Sequence, residues 1–266
     1  MTQRREIEGT LALYEDLSGI LGAMRSFALA ELHRVMKREA SQRQVVTALT
    51  GTMQDVAAYL RPQLPAAHDI WLLFGSVRGF CGSFNEDVAR SWRMANTSGQ
   101  PTIVVGERLF ALLQDEAEII SIPGADGALD AASVIDQIVL EIGRTQKKLA
   151  KPSGLVACVR DEEGARVQRL LPFPVGLSGA NMPPLVHAPA AEVATGVAEH
   201  YLFHSILSMQ FLSIRVENHM RLMQMENALR HLERSGDDLK RLRNRLRQEE
   251  IVEEIELMAR KRTGMH

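Results

Sequence analysis

All ten prolines of this 266-residue chain fall between Pro62 and Pro189. Proline ends helices, so the chain divides into a proline-free first quarter, a turn-rich middle and a proline-free last quarter. In the last part Leu207, Phe211, Ile214, Asn218, Leu222, Met225, Leu229, Leu232, Gly236, Leu239, Leu242 and Leu246 step by three or four residues. That spacing is close to the 3.5-residue seam of a supercoiled helix. A continuous helix over 201–262 would be roughly 90 Å long, more than a small globular domain can bury, so it needs an extended partner. The first part supplies one. Ile7, Leu11, Tyr14, Leu17, Leu21, Met24, Ala28, Leu32 and Val35 recur at helical spacing, and Val45, Leu49, Met53, Val56 and Leu60 resume it after the polar run Lys37–Gln44. Gly9, Gly19, Gly22 and Gly51 weaken this helix by about 1 kcal/mol each relative to alanine. They point either to close helix approach or to a locally weak rod.

The middle alternates. Ile70–Phe74, Thr102–Val105 and Leu155–Val159 are short apolar runs with the character of buried strands, and Glu118–Ile122 is a fourth candidate. Amphipathic segments at 85–96, 107–114 and 131–148 separate them, which favours a small layered sheet with parallel pairing. Arg166–Leu171 forms a hairpin with 155–160, with Gly164 in the turn, and Pro172–Pro189 is the connector into the last helix. The fold class is therefore α/β: long N- and C-terminal helices forming an antiparallel coiled coil, with a small Rossmann-like α/β domain inserted between them. The expected divisions are an N-terminal shaft helix at 1–61, the α/β domain at 62–190 and a C-terminal shaft helix at 191–266.

Composition narrows the function. A net charge of −2 over 31 basic and 33 acidic side chains leaves no global basic excess, so no nucleic-acid partner is expected. The first residues show no apolar stretch of the kind a secretory leader carries, and no 18-residue apolar run free of charge occurs. Cys81 and Cys158 lie far apart without a CxxC pair and read as buried thiols rather than a disulfide.

Few motifs carry chemistry. Gly75, Gly79 and Gly82 follow the first strand, but their GxxxGxxG spacing is not the dinucleotide fingerprint, and GxxxxGK[ST] is absent. His200 and His204 lie one helical turn apart without the HExxH glutamate or a third ligand, so they read as a structural pair. No metal, cofactor or catalytic set is expected. Lys240 to Arg247 are rich in positive charge and Glu249 to Glu256 in negative charge, either a solvated helix face or a surface that presents both signs to a surrounding partner. Met220, Met223 and Met225 suit a core better than a ligand site.

Two stretches on either side of the insert resemble the gamma subunit of rotary F-type ATP synthases. Arg78-Gly79-Phe80-Cys81-Gly82-Ser83-Phe84-Asn85 is similar to that family's RGLCGGxN turn. Glu217, Asn218, Arg221, Met223, Met225, Glu226, Asn227 and Ala228 follow its SENAARMxAMxxA run, and Asn244, Arg247, Gln248, Ile251, Glu254 and Ile255 its NxxRQAxITxEL segment. Ile20, Ala23, Met24 and Arg25 correspond more loosely to KITxAMK. The departures at Phe80, Ser83, Glu249, Glu250, Val252 and Leu257 resemble a divergent version, such as the alternative sodium- or proton-translocating N-type ATPases.

The resemblance implies a non-catalytic rotor shaft that couples ion flow through a membrane sector to ATP synthesis or hydrolysis. Its implied partners are the alpha and beta subunits of the head, the epsilon subunit and the membrane c-ring, at the cytoplasmic face of a bacterial inner membrane. It implies that Met24, Arg221, Gln248 and Glu254 contact the alpha/beta hexamer or brace the shaft. The motif turn comprises Arg78, Gly79, Cys81, Gly82 and Asn85. Two other readings compete with it: a coiled-coil scaffold or adaptor without ATPase partners, and an enzyme that uses the α/β domain on a nucleotide.

Overall fold

A computed structural model of the chain describes residues 2–60, 68–96, 99–116, 118–149, 151–173 and 185–263. Helix α1 (Thr2–Val56) ends in a 3-10 turn, Ala57–Tyr59. Strand β1 (His68–Phe74), helix α2 (Phe84–Ala95), β2 (Thr102–Val105), α3 (Glu107–Leu113), β3 (Ile119–Ile122), α4 (Ala131–Leu149), β4 (Ser153–Arg160) and β5 (Ala165–Leu171) follow, and α5 spans Ala190–Thr263. Much of the expected connector, 174–184, lies outside the described residues.

The five strands form one sheet in the order β3-β2-β1-β4-β5. β1 pairs in parallel with β2 and β4, β2 pairs in parallel with β3, and β5 is antiparallel to β4. This is the expected α/β insert between long helices. The unbroken apolar runs reflect burial on both faces: alternate residues of β1 enter different cores, Ile70, Leu72 and Phe74 one, Trp71 and Leu73 the other. The first core takes Ile135 and Ile138 of α4, Val35 of α1 and Ile206, Phe211 and Ile214 of α5. The second takes Phe84, Val88 and Trp92 of α2, Leu109 and Leu113 of α3 and Val216 of α5. Each large aliphatic side chain fully removed from water in this way contributes about 1.5–3 kcal/mol. The hairpin turn is closed by Asp161, whose Oδ1 accepts hydrogen bonds from the backbone N–H groups of Glu163 and Gly164. Gly164 adopts φ +152° there.

Two compact units emerge, Met1–Phe27 with Leu222–His266, and Ala28–Arg221, so each long helix contributes to both. In the first unit Ile7, Leu11, Met225 and Gly236 are buried, Arg4 pairs with Glu250 at 2.8 Å, and Gly236 lies beside the Tyr14 ring. In the second, Glu39 pairs with Arg215, and Gln42 bonds His204. Rising numbers on α1 meet falling numbers on α5 within each unit, which defines antiparallel pairing.

The seam of α1 differs from the expected one between 37 and 46. Val45 is exposed, and the polar run itself carries the buried face through Glu39 and Gln42, because the helix continues in phase from Val35 to Leu49. The four α1 glycines have nothing within 4 Å of an added Cβ, so close helix approach is not their reason.

Candidate functional site

The loops that leave β1, β2 and β3 meet at the carboxyl edge of the parallel strands, where open α/β sheets commonly bind ligands. Here that edge is closed by three glycines. A Cβ on Gly75 would lie 2.2 Å from Leu109 Cβ, one on Gly106 2.7 Å from the Gly75 carbonyl oxygen, and one on Gly124 2.3 Å from Val77 Cγ2. Gly106 also adopts φ +108°, a conformation that excludes a side chain on its own account. These glycines let three loops approach each other closely at this edge.

The motif turn is built around Asn85 at the start of α2. Its Oδ1 accepts from the Ser76 N–H at 3.0 Å and its Nδ2 donates to Ser76 Oγ at 2.8 Å, so the end of β1 and the first turn of α2 are held together. Cys81 is buried beside them and its thiol donates to Ser76 Oγ at 3.3 Å. Burial pushes the Cys81 thiol up from its ordinary range and raises Cys158 to about 11. Both are free cysteines, as expected. Phe80 and Gly82 adopt φ near +60°, and Phe80 is exposed at the tip.

Helix α5 crosses this turn and inserts three polar side chains, all buried: Glu217, Asn218 and Arg221. Arg221 Nε donates to the Gly79 carbonyl at 3.1 Å, one terminal nitrogen donates to Asn218 Oδ1 at 2.9 Å, and the other pairs with Glu217. The Glu217 carboxylate also accepts from the backbone N–H groups of Val77 and Arg78, the latter at 3.4 Å. It therefore satisfies two backbone donors of the loop that leaves β1. Burial pushes its carboxyl up, while Arg221 and the N–H donors pull the other way. The arrangement locks a helix to a loop, and it presents no nucleophile with an adjacent base.

A second node lies at the hairpin. Arg215 of α5 reaches both Glu39 of α1 and Glu162 in the β4–β5 turn, and Glu39 also accepts from Arg43 at 2.8 Å. The Arg215 guanidinium holds the exposed Glu162 carboxyl below its ordinary range.

The sequence-derived positions are distributed unevenly. Arg78, Gly79, Cys81, Gly82 and Asn85 converge with Arg221 in one unit. Met24, half-buried on α1, and Gln248 and Glu254, exposed on α5, belong to the other. His200 and His204 stack at 6.3 Å, and the Gln42 amide approaches His204 Nδ1 at 2.8 Å. Burial, helped by His200, lowers the His204 pKa. Among the described residues no group of three or more potential metal ligands comes together. Ser76, Gly106 and Gly124 escape sequence reasoning. The available signal is the repeated glycine just beyond the strands, at Gly75, Gly106 and Gly124.

Comparison with known proteins places this geometry. The ATP synthase family model matches residues 3–257. No curated protein matches the chain. Among solved structures, a chain of the Euglena gracilis mitochondrial ATP synthase rotor in rotational state 1 is similar at a TM-score of 0.66 and 15% identity, over 94% of this chain and 99% of that one. A chain of the Euglena gracilis OSCP/F1/c-ring assembly in rotational state 3 gives 0.72 and 16%, over 100% and 95%. One from the Tetrahymena thermophila mitochondrial central stalk and c-ring gives 0.57 and 20%, over 79% and 99%. At these identities the structures speak for a shared fold, while the family match spans nearly every residue. The chain therefore belongs to the ATP synthase gamma-subunit family.

Proposed function

We propose that the chain is the central shaft of a rotary ATP synthase that turns within an alpha/beta head and stands on a membrane c-ring, with an epsilon subunit on its α/β unit. Membership of the gamma-subunit family makes it a rotor component of a membrane-associated complex. No helix among the described residues is long and apolar enough to cross a membrane. The observation that best supports the reading is the fastening of α5 to the loop after β1 by the chain's own Glu217 and Arg221. A shaft needs its helix fixed to the insert in this way. In this role the chain contributes no catalytic group. Its asymmetric surface biases each nucleotide site on the head through rigid-body contact, and Met24, Gln248 and Glu254 are the proposed contacts. Placement at a bacterial inner membrane rests on the sequence resemblance alone, since the solved relatives named above are mitochondrial.

The test is reconstitution with the alpha and beta subunits of the same organism. The chain should co-purify with the hexamer and raise its ATPase rate. Failure to join, or joining without any change in rate, overturns the reading.

A further inference from the structure

Helix α1 holds one peptide of the α/β insert from both sides. The loop from β3 to α4 passes α1 at Ala128, which is almost fully buried. The Ala128 N–H donates to Glu31 Oε1 at 2.6 Å, and its carbonyl accepts from an Arg38 terminal nitrogen at 2.8 Å. Glu31 and Arg38 are seven residues apart, so they lie on one stripe of the helix two turns apart, and fully buried Val35 sits between them. Gly127 completes the fit, because a Cβ there would lie 2.5 Å from Glu31 Oε1. One residue earlier, Asp126 pairs with Arg78 of the motif turn at 3.3 Å.

Rotation of a helix about its own axis is resisted only by groups held away from that axis, and side chains extend about 5–6 Å from it. Apolar contacts have no preferred direction, whereas charge-assisted hydrogen bonds to both ends of one peptide fix the rotational setting of the helix either way. We infer that Glu31 and Arg38 are torque-bearing positioning residues that clamp α1 to the loop at Ala128. This rests on the rotor reading above. The motif turn is held on its other side by Arg221 of α5, so the two helices reach the insert through adjoining loops.

The experiment uses the full chain in the reconstituted complex, in vesicles, with Glu31→Gln, Arg38→Ala, Arg38→Lys and Gly127→Ala. ATP hydrolysis and ATP-driven ion uptake are measured on the same samples, and hydrogen exchange at the Ala128 amide is followed in the free chain. The expected result is near-normal assembly and hydrolysis with ions moved per ATP reduced at least threefold in Arg38→Ala and Gly127→Ala. Arg38→Lys, which keeps one donor, should restore part of the ratio, and Glu31→Gln should speed exchange at Ala128 tenfold or more. An unchanged ratio of ions to ATP in Arg38→Ala and Gly127→Ala overturns the inference. So does a parallel loss of assembly and hydrolysis, which would mark a folding role only. If the unsubstituted chain fails to assemble, the rotor reading falls instead, and unchanged exchange in Glu31→Gln then still removes the clamp.

Discussion

The two units use the same pair of helices in opposite ways. In residues 28–221 the helices bury Glu39, Gln42, Ser205, Gln210, Ser213, Glu217, Asn218 and Arg221. In the unit formed by 1–27 and 222–266, the buried positions among the described residues are Ile7, Leu11, Met225 and Gly236, and no polar side chain is buried. The unit of 1–27 and 222–266 also leaves Leu13, Ile20, Phe27, Val252, Ile255 and Met258 exposed. Glu39, Gln42, Glu217, Asn218 and Arg221 find partners there, and buried polar groups that are partnered specify one arrangement, so the 28–221 unit is a joint. A thin apolar seam flanked by exposed apolar side chains pairs two helices and leaves the outer faces free for other surfaces, as a shaft in a bearing requires.

The sharpest way to break this contrast is at the glycines of the joint. Gly106→Ala adds a Cβ at positive φ and within 3 Å of the Gly75 carbonyl. Its cost should exceed about 3 kcal/mol, beyond the usual range for single substitutions. Urea denaturation measures it, and a loss below about 1 kcal/mol would mean that the three loops part easily.

Next comes the buried pair. Arg221→Gln leaves Glu217 without its counterion and should cost about 3 kcal/mol. The sign of its pH dependence follows from Glu217, whose folded pKa lies above its ordinary value. Stability from this carboxyl is present at low pH and is lost as pH rises through the folded pKa. Without Arg221 that pKa climbs further, so the variant's deficit should be larger at pH 8 than at pH 5. Thermal melts at the two values check it, and an equal deficit at both would show that Glu217 stays in one protonation state.

The smallest effects on folding belong to the shaft. Gln248→Ala and Glu254→Ala, at exposed positions, should change stability by less than about 0.5 kcal/mol while lowering complex yield or coupled ion transport. Unchanged yield and transport in both would remove them as contacts. Arg221 stands apart from these two because its side chain is already engaged by Gly79, Asn218 and Glu217.

The charged stretch late in α5 illustrates the limit of reading a face from sequence. Lys240 pairs with Asp237, Arg241 with Asp238 and Arg245 with Glu249, all between exposed groups one helical turn apart. Such pairs are worth a few tenths of a kcal/mol and describe a solvated helix. Glu250 is the exception that spacing does not reveal, since its partner is Arg4 at the other end of the chain.

The sequence alone determined the two long helices, the alternating insert, the hairpin and the family motifs. Proline placement, 3.5-residue spacing and short apolar runs act within a few residues of themselves, so they survive being read without a fold. Only the tertiary structure decided that the polar run of α1 lies in the seam, that Glu217 of α5 bonds the loop leaving β1, and that Ala128 is gripped from both ends. Each depends on groups roughly 90 to 180 residues apart, whose pairing arises from packing and leaves no periodic trace in the chain.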